Sequence, residues 1–144
     1  MAKPRRAAAA GARLTKDEIL KLRAHLRRSF GSPALTVTPN SREREAADVT
    51  LGERKIGKII LDDEDGDRSF SFAMPIPVDR ATLQEYLRKL FENDKLKIVS
   101  RMKKMDSVEL NNGDDFLGIV SADDKAGSAF TLQMAILDFD LEDL

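Results

Sequence analysis

Residues Leu61 to Ile76 read LDDEDGDRSFSFAMPI, and Ser121 to Asp143 read SADDKAGSAFTLQMAILDFDLED. In both, a pair of aspartates, a glycine and a run with alternating apolar positions follow in the same order. Set against itself at an offset of 61, the chain places Asp62, Asp63 and Gly66 on Asp123, Asp124 and Gly127. A one-residue deletion after that glycine shifts the offset to 60 and brings Phe70 onto Phe130, Met74 onto Met134 and Ile76 onto Ile136. Upstream the match continues: Leu22, Leu26, Arg27 and Phe30 fall on Leu83, Leu87, Arg88 and Phe91, Leu35 and Val37 on Leu96 and Ile98, Gly52 and Gly57 on Gly113 and Gly118. Matched glycines imply matched backbone bends, which a coincidence of common apolar residues would not give. The chain is written twice.

Each copy opens with a helical pattern. Thr15 and Glu18 have capping-box spacing, Ile19, Leu22, Leu26 and Phe30 form one apolar stripe, and Gly31 with Pro33 ends the run. In the second copy Asp79 is the expected N-cap, and Leu83, Leu87, Leu90 and Phe91 supply the stripe. Short strands are expected at 35–38, 48–51, 55–61 and 69–76, then at 96–102, 107–110, 116–120 and 129–137, with Asn112-Gly113 as a hairpin signal. The expected fold is therefore α+β: two repeats, each one helix plus a four-stranded antiparallel meander, packed as a pseudo-twofold dimer. A unit of about 60 residues buries only about 60% of its unfolded surface, so two units are expected to bury their apolar faces against each other. The boundaries follow as a disordered basic tail over 1–13, a first repeat over 14–77 and a second over 78–144.

Composition narrows the function. The 144 residues include 24 Lys plus Arg against 25 Asp plus Glu, no Cys and one His. Disulfides, thiolate metal sites and cysteine nucleophiles are excluded, and little material remains for imidazole chemistry. No run approaches the length of a membrane span. The charge balance conceals a basic start, with Arg5 and Arg6, and an acidic end, with Asp138, Asp140, Glu142 and Asp143.

The two quoted segments, together with LRAHLRRSFGSP (Leu22 to Pro33) and the turn regions Gly52–Gly57 and Gly113–Gly118, resemble a family of short alphaproteobacterial proteins catalogued as domain of unknown function 3126. Typical members look like one unit, with the acidic turn and a closing F-x-F-Q-M-A-I-L-D strand. The first copy keeps the acidic turn but has Ala73 and Pro75 where the pattern has Gln and Ala; the second keeps Gln133 to Asp138 but thins the turn. The resemblance implies a bacterial, cytoplasmic protein and brings no activity with it.

The acidic turn Asp62, Asp63, Glu64, Asp65, Gly66, Asp67 lacks the ligand spacing of a calcium loop, because Leu61 and Phe72 stand where ligands belong. No metal or cofactor is expected. His25 lies beside the helix stripe and its counterpart is Tyr86, which suits an amphipathic boundary position. No nucleotide-binding glycine loop or nucleophile elbow occurs, so no enzyme is expected. The expected role is a non-catalytic, monomeric protein-interaction or assembly module, with an unidentified protein partner contacting Asp62, Asp63, Glu64, Asp65, Asp67, Gln133, Met134 and Asp138, the last three on a sheet edge. The alternative is a nucleic-acid or ribosome-associated protein using Arg5, Arg6, Arg23, Arg27, Lys95, Lys97, Arg101 and Lys103.

Overall fold

A computed structural model describes residues 13–62, 68–101 and 104–142, with the side chains of Lys104 and Met105 excepted. Residues 1–12 of the expected tail, Asp63 to Asp67 of the acidic turn and Lys103 lie outside the described residues. Helix α1 spans Lys16–Phe30 and is followed by β1 (Leu35–Pro39), β2 (Ala46–Leu51), β3 (Arg54–Asp62) and β4 (Ser69–Ile76). A short 3-10 turn, Arg80–Thr82, leads into α2 (Leu83–Phe91), followed by β5 (Leu96–Arg101), β6 (Lys104–Asn112), β7 (Asp115–Ala122), β8 (Phe130–Leu137) and a final 3-10 turn, Asp138–Leu141.

Local chemistry accounts for the helix ends. The Thr15 hydroxyl accepts from the Glu18 amide at 3.1 Å while the Glu18 carboxylate accepts from the Thr15 amide at 3.0 Å, closing the capping box. Gly31 ends α1 in the left-handed region at φ 61°, and Glu92 does the same for α2 at φ 53° without glycine's freedom. Arg27 and Arg88 then fasten each helix to the strand after it, Nε donating to the Leu35 carbonyl at 2.6 Å and the Leu96 carbonyl at 2.7 Å.

The eight strands form one antiparallel sheet in the order β1-β2-β3-β4-β8-β7-β6-β5. Its two hairpins of shortest connection, β2–β3 and β6–β7, turn through Gly52-Glu53 and Gly113-Asp114, with Gly52 and Gly113 at φ 68° and 62°. Positive φ at the first loop residue alone matches a type II′ turn. Asn112 is thus a strand residue rather than part of the turn. Just inside each turn the register slips by one residue, after Val49 and after Leu110, and the extra residues Ile56 and Leu117 are buried. Next to each bulge a glycine lets strands approach: a Cβ on Gly57 would lie 2.6 Å from the Ala73 carbonyl oxygen, and one on Gly118 2.5 Å from that of Gln133.

One face of the sheet is apolar and carries both helices. Phe70, Phe72, Met74 and Ile76 of β4 and Phe130, Leu132, Met134 and Ile136 of β8 are buried there with the α1 and α2 stripes. Phe30 of α1 meets Phe72 edge-on at 6.1 Å and stacks on Phe91 of α2 at 4.5 Å. Mutual burial of two apolar faces is not what joins the halves: both faces point the same way in one continuous sheet. Contact runs through the β4–β8 ladder and the helix ends. There the Asn93 side-chain amide donates to the Phe30 carbonyl at 2.8 Å and that of Asn112 to the Ser29 carbonyl at 2.9 Å, serving the open C-terminal carbonyls of α1. Among the described residues no helix is long and apolar enough to cross a membrane.

Candidate interaction surface

Because side chains alternate across a strand, the residues between the core positions of β4 and β8 define the opposite face. Across the centre Ile60, Ser71 and Ala135 lie in one row, and Lys58, Ala73, Gln133 and Ile119 in the next. Ser71, Pro75, Gln133, Ala135 and Leu137 are exposed, and no described element covers them. Ile60 and Leu137 are exposed to 37% and 43%. Uncharged residues, both polar (Ser71, Gln133) and apolar (Ala73, Ala135), make up the centre of the face, while charge sits to its sides. Asp48 pairs with Lys55 at 3.2 Å and Glu43 pairs with Lys58. Burial by itself would raise the Asp48 carboxyl, but hydrogen bonds from Asn40 and Lys55 outweigh it and hold the group below its ordinary range.

Three residues singled out in the sequence lie on or beside this face without meeting. Asp62 is exposed at the end of β3, opposite Ser69, which in turn faces Leu137 just before Asp138, whereas Gln133 lies four residues back along β8, opposite Ala73. Two expectations are corrected. Gln133 itself is no edge residue, being paired to Ala73 of β4 on one side and Ile119 of β7 on the other, whereas Met134 to Leu137 are paired to β4 alone. Met134 is 5% exposed and belongs to the core, since the strand alternation that exposes Gln133 turns its neighbour inward. The small outward residues Ser71, Ala73 and Ala135 were missed; their alternation with buried Phe72, Met74 and Met134 was the signal that could have found them.

The equivalent acidic turn of the second half is tied to its own surroundings. Asp124 accepts from the Ser128 hydroxyl and amide, which hold its carboxyl below the ordinary range, and Asp123 accepts from the Thr131 hydroxyl at 2.7 Å. Among the described residues no cluster of three or more His, Asp or Glu side chains could hold a metal ion.

Among the described residues, two of the arginines singled out in the sequence are engaged within the fold. Arg27 serves the Leu35 carbonyl, Arg101 donates to the Ser107 hydroxyl at 2.9 Å, and Arg23 stands half-buried on α1. Lys95 and Lys97 are exposed at the start of β5, beside the end of β6 whose Asn112 reaches the C-terminus of α1. Arg5, Arg6 and Lys103 are outside the described residues. His25 keeps a buried Nδ1 with no hydrogen-bond partner; burial lowers its pKa, with Asp140 opposing and Arg28 reinforcing.

The family model described as "Protein of unknown function (DUF3126)" matches residues 18–79 and again 79–140. The chain belongs to that family. Its two family matches meet at Asp79, the residue whose side chain caps the 3-10 turn leading into α2. No curated protein and no solved structure matches the chain.

Proposed function

We propose that this tandem DUF3126 protein is a non-catalytic interaction or assembly module, built as a dimer fused into one chain. In this reading each repeat is one helix and a four-stranded meander, and a pseudo-twofold axis crosses the sheet between β4 and β8. The register supports it: Ala73 lies opposite Gln133, its own counterpart at the offset of 60, and Phe72 and Met74 lie opposite Met134 and Leu132. An isologous contact has this signature: the residue on the axis meets its own equivalent, and its neighbours exchange partners reciprocally.

The observation that carries the interaction reading is the uncovered outer face of the β4–β8 seam, where Ile60, Ala135 and Leu137 stand exposed among Ser69, Ser71 and Gln133, with both helices on the other side. Exposed apolar residues grouped with uncharged polar ones on an uncovered face are the kind of surface that contact sites use. Asp62 and Asp138 at the rim add charge that would orient a partner. Crosslinking and co-purification from native cells, comparing the natural chain with Ala135→Arg, tests the face. Loss of the captured partner with unchanged thermal stability is expected; an identical partner list removes the face from the account.

A further inference from the structure

The two ends of the described chain come to one place. Arg68 Nη2 donates to the Arg13 carbonyl at 3.0 Å, just ahead of α1, and the next residue, Ser69, lies opposite Leu137, the last residue of β8. The turn after β8, Asp138–Leu141, packs on α1 and buries Leu141. Chain entry and chain exit thus share one end of the β4–β8 seam. What stands there is uncovered. Phe139 is 62% exposed, more than any other large apolar residue among the described residues, and exposed Leu137 precedes it by two positions. Acids flank the pair. Asp138 and Glu142 are exposed, and among the described residues no ion pair holds either of them. Asp140 is partly engaged, accepting from the Leu137 amide at 2.9 Å. An exposed phenyl ring among carboxylates suits a guanidinium, which a ring face and an anion both attract.

The residues ahead of Arg13 carry the matching chemistry. Residues 1–12 read MAKPRRAAAAGA, with Lys3, Arg5 and Arg6, no acid, and four consecutive alanines. Extended, the stretch from Arg6 to Ala12 spans about 23 Å, several times the ~5 Å strand spacing that separates Ser69 from Leu137. We infer that Met1 to Ala12 folds back across the end of the seam onto the final turn, with Arg5 and Arg6 beside Asp138 and Glu142 and the alanines over Leu137 and Phe139. Being tethered at Arg13, the segment needs little affinity of its own, since its local concentration is on the order of millimolar. The contact closes the chain on itself by charge and therefore weakens with salt. It follows from where the chain's ends lie and stands apart from the role proposed for the outer face; Leu137 alone belongs to both.

The chain has no cysteine, so Ala8→Cys accepts a single nitroxide in the full, isotope-labelled protein. Paramagnetic broadening is then read at the amides of Leu137 to Glu142, with thermal melts on every variant. Strong broadening of these amides is expected at about 0.02 M salt, and its loss at about 0.5 M. Arg5→Glu with Arg6→Glu should abolish it at low salt, and adding Asp138→Arg with Glu142→Arg should restore it. Final-turn amides that stay sharp at low salt, without the charge reversals, overturn the inference. So does broadening indifferent to charge reversal, which would reflect the tether alone. Broadening that passes undiminished to isotope-labelled chains mixed with separately spin-labelled ones also overturns it, because the segment would then reach a second copy.

Discussion

Phe30 and Phe91 stack with centroids 4.5 Å apart and planes 19° from parallel, and the two residues hold the same place in their respective repeats. Both are fully buried, so each ring contributes apolar area to the common core as well as a specific contact between the helix ends. Phe30→Ala and Phe91→Ala are each expected to cost about 3–5 kcal/mol by lost burial and cavity formation. A double-mutant cycle in urea should show about 0.5–1.5 kcal/mol of coupling between them. Strict additivity would mean that the stack links nothing across the halves.

The close approaches at Gly57 and Gly118 make a paired expectation. Either position changed to Ala forces Cβ against a backbone oxygen, at 2.6 Å or 2.5 Å, so the strands must part. Overpacking of this kind costs about 1–3 kcal/mol. Denaturant midpoints should fall by similar amounts for the two variants, because the bulge and glycine are repeated. A loss at one site alone would show that the two bends differ in strain.

Glu92 is expected to accept a stabilising change. It is the lone non-glycine residue with positive φ among the described residues, in the position that Gly31 fills in the first repeat. Left-handed backbone costs a non-glycine residue about 1–2 kcal/mol, and glycine's extra entropy in the unfolded chain returns about half of that. Glu92→Gly should therefore raise stability by about 0.5–1 kcal/mol in thermal or urea unfolding. The reverse experiment, Gly31→Ala, should destabilise, both from φ and because a Cβ would lie 2.8 Å from the Asn93 amide nitrogen.

Acid should weaken the fold in two separable steps. Burial depresses the His25 pKa below its ordinary 6.5, so the neutral ring is the folded form. Its contribution is present above 6.5 and is lost as pH falls through the folded pKa, because the unfolded state binds the proton more readily. His25→Leu, which also removes the unpartnered Nδ1, should flatten stability over that window. Glu18 governs the lower step. Burial would raise its carboxyl, but the Arg68 guanidinium, with Nε 2.7 Å and Nη2 2.9 Å from its oxygens, and the Thr15 amide hold it below its ordinary 4.5. That stability is present above 4.5 and is lost as pH falls through the folded value. Arg68→Gln is expected to cost about 1–2 kcal/mol at neutral pH, for a charge-assisted pair partly screened by solvent. It should also shrink the acid loss, as urea curves at stepped pH would show.

Much of this architecture was legible in the residues because its signals are local. Thr15 and Glu18 announce a helix start, Gly31 an end, and the alternation of Phe70, Phe72, Met74 and Ile76 a half-buried strand with its ends correctly placed. The offset matching Gly52, Gly57, Gly113 and Gly118 likewise foretold that both halves bend alike, while the bulges at Ile56 and Leu117 came only with the strand register. The candidate site was less legible. Asp62, Gln133 and Asp138 were named, but Met134 was counted with them and the small outward residues were not.

What the sequence determined by itself is therefore the unit: a capped helix, strands of known face, glycines at the bends, and its duplication. Only the tertiary structure decided which edges join. Backbone hydrogen bonds between strands carry no residue code, so nothing in Phe130 to Leu137 announces that β8 will pair with β4 and lie at the centre of the sheet. That one pairing aligns Ala73 with Gln133, sends both apolar faces the same way, and leaves β1 and β5 as the outer strands.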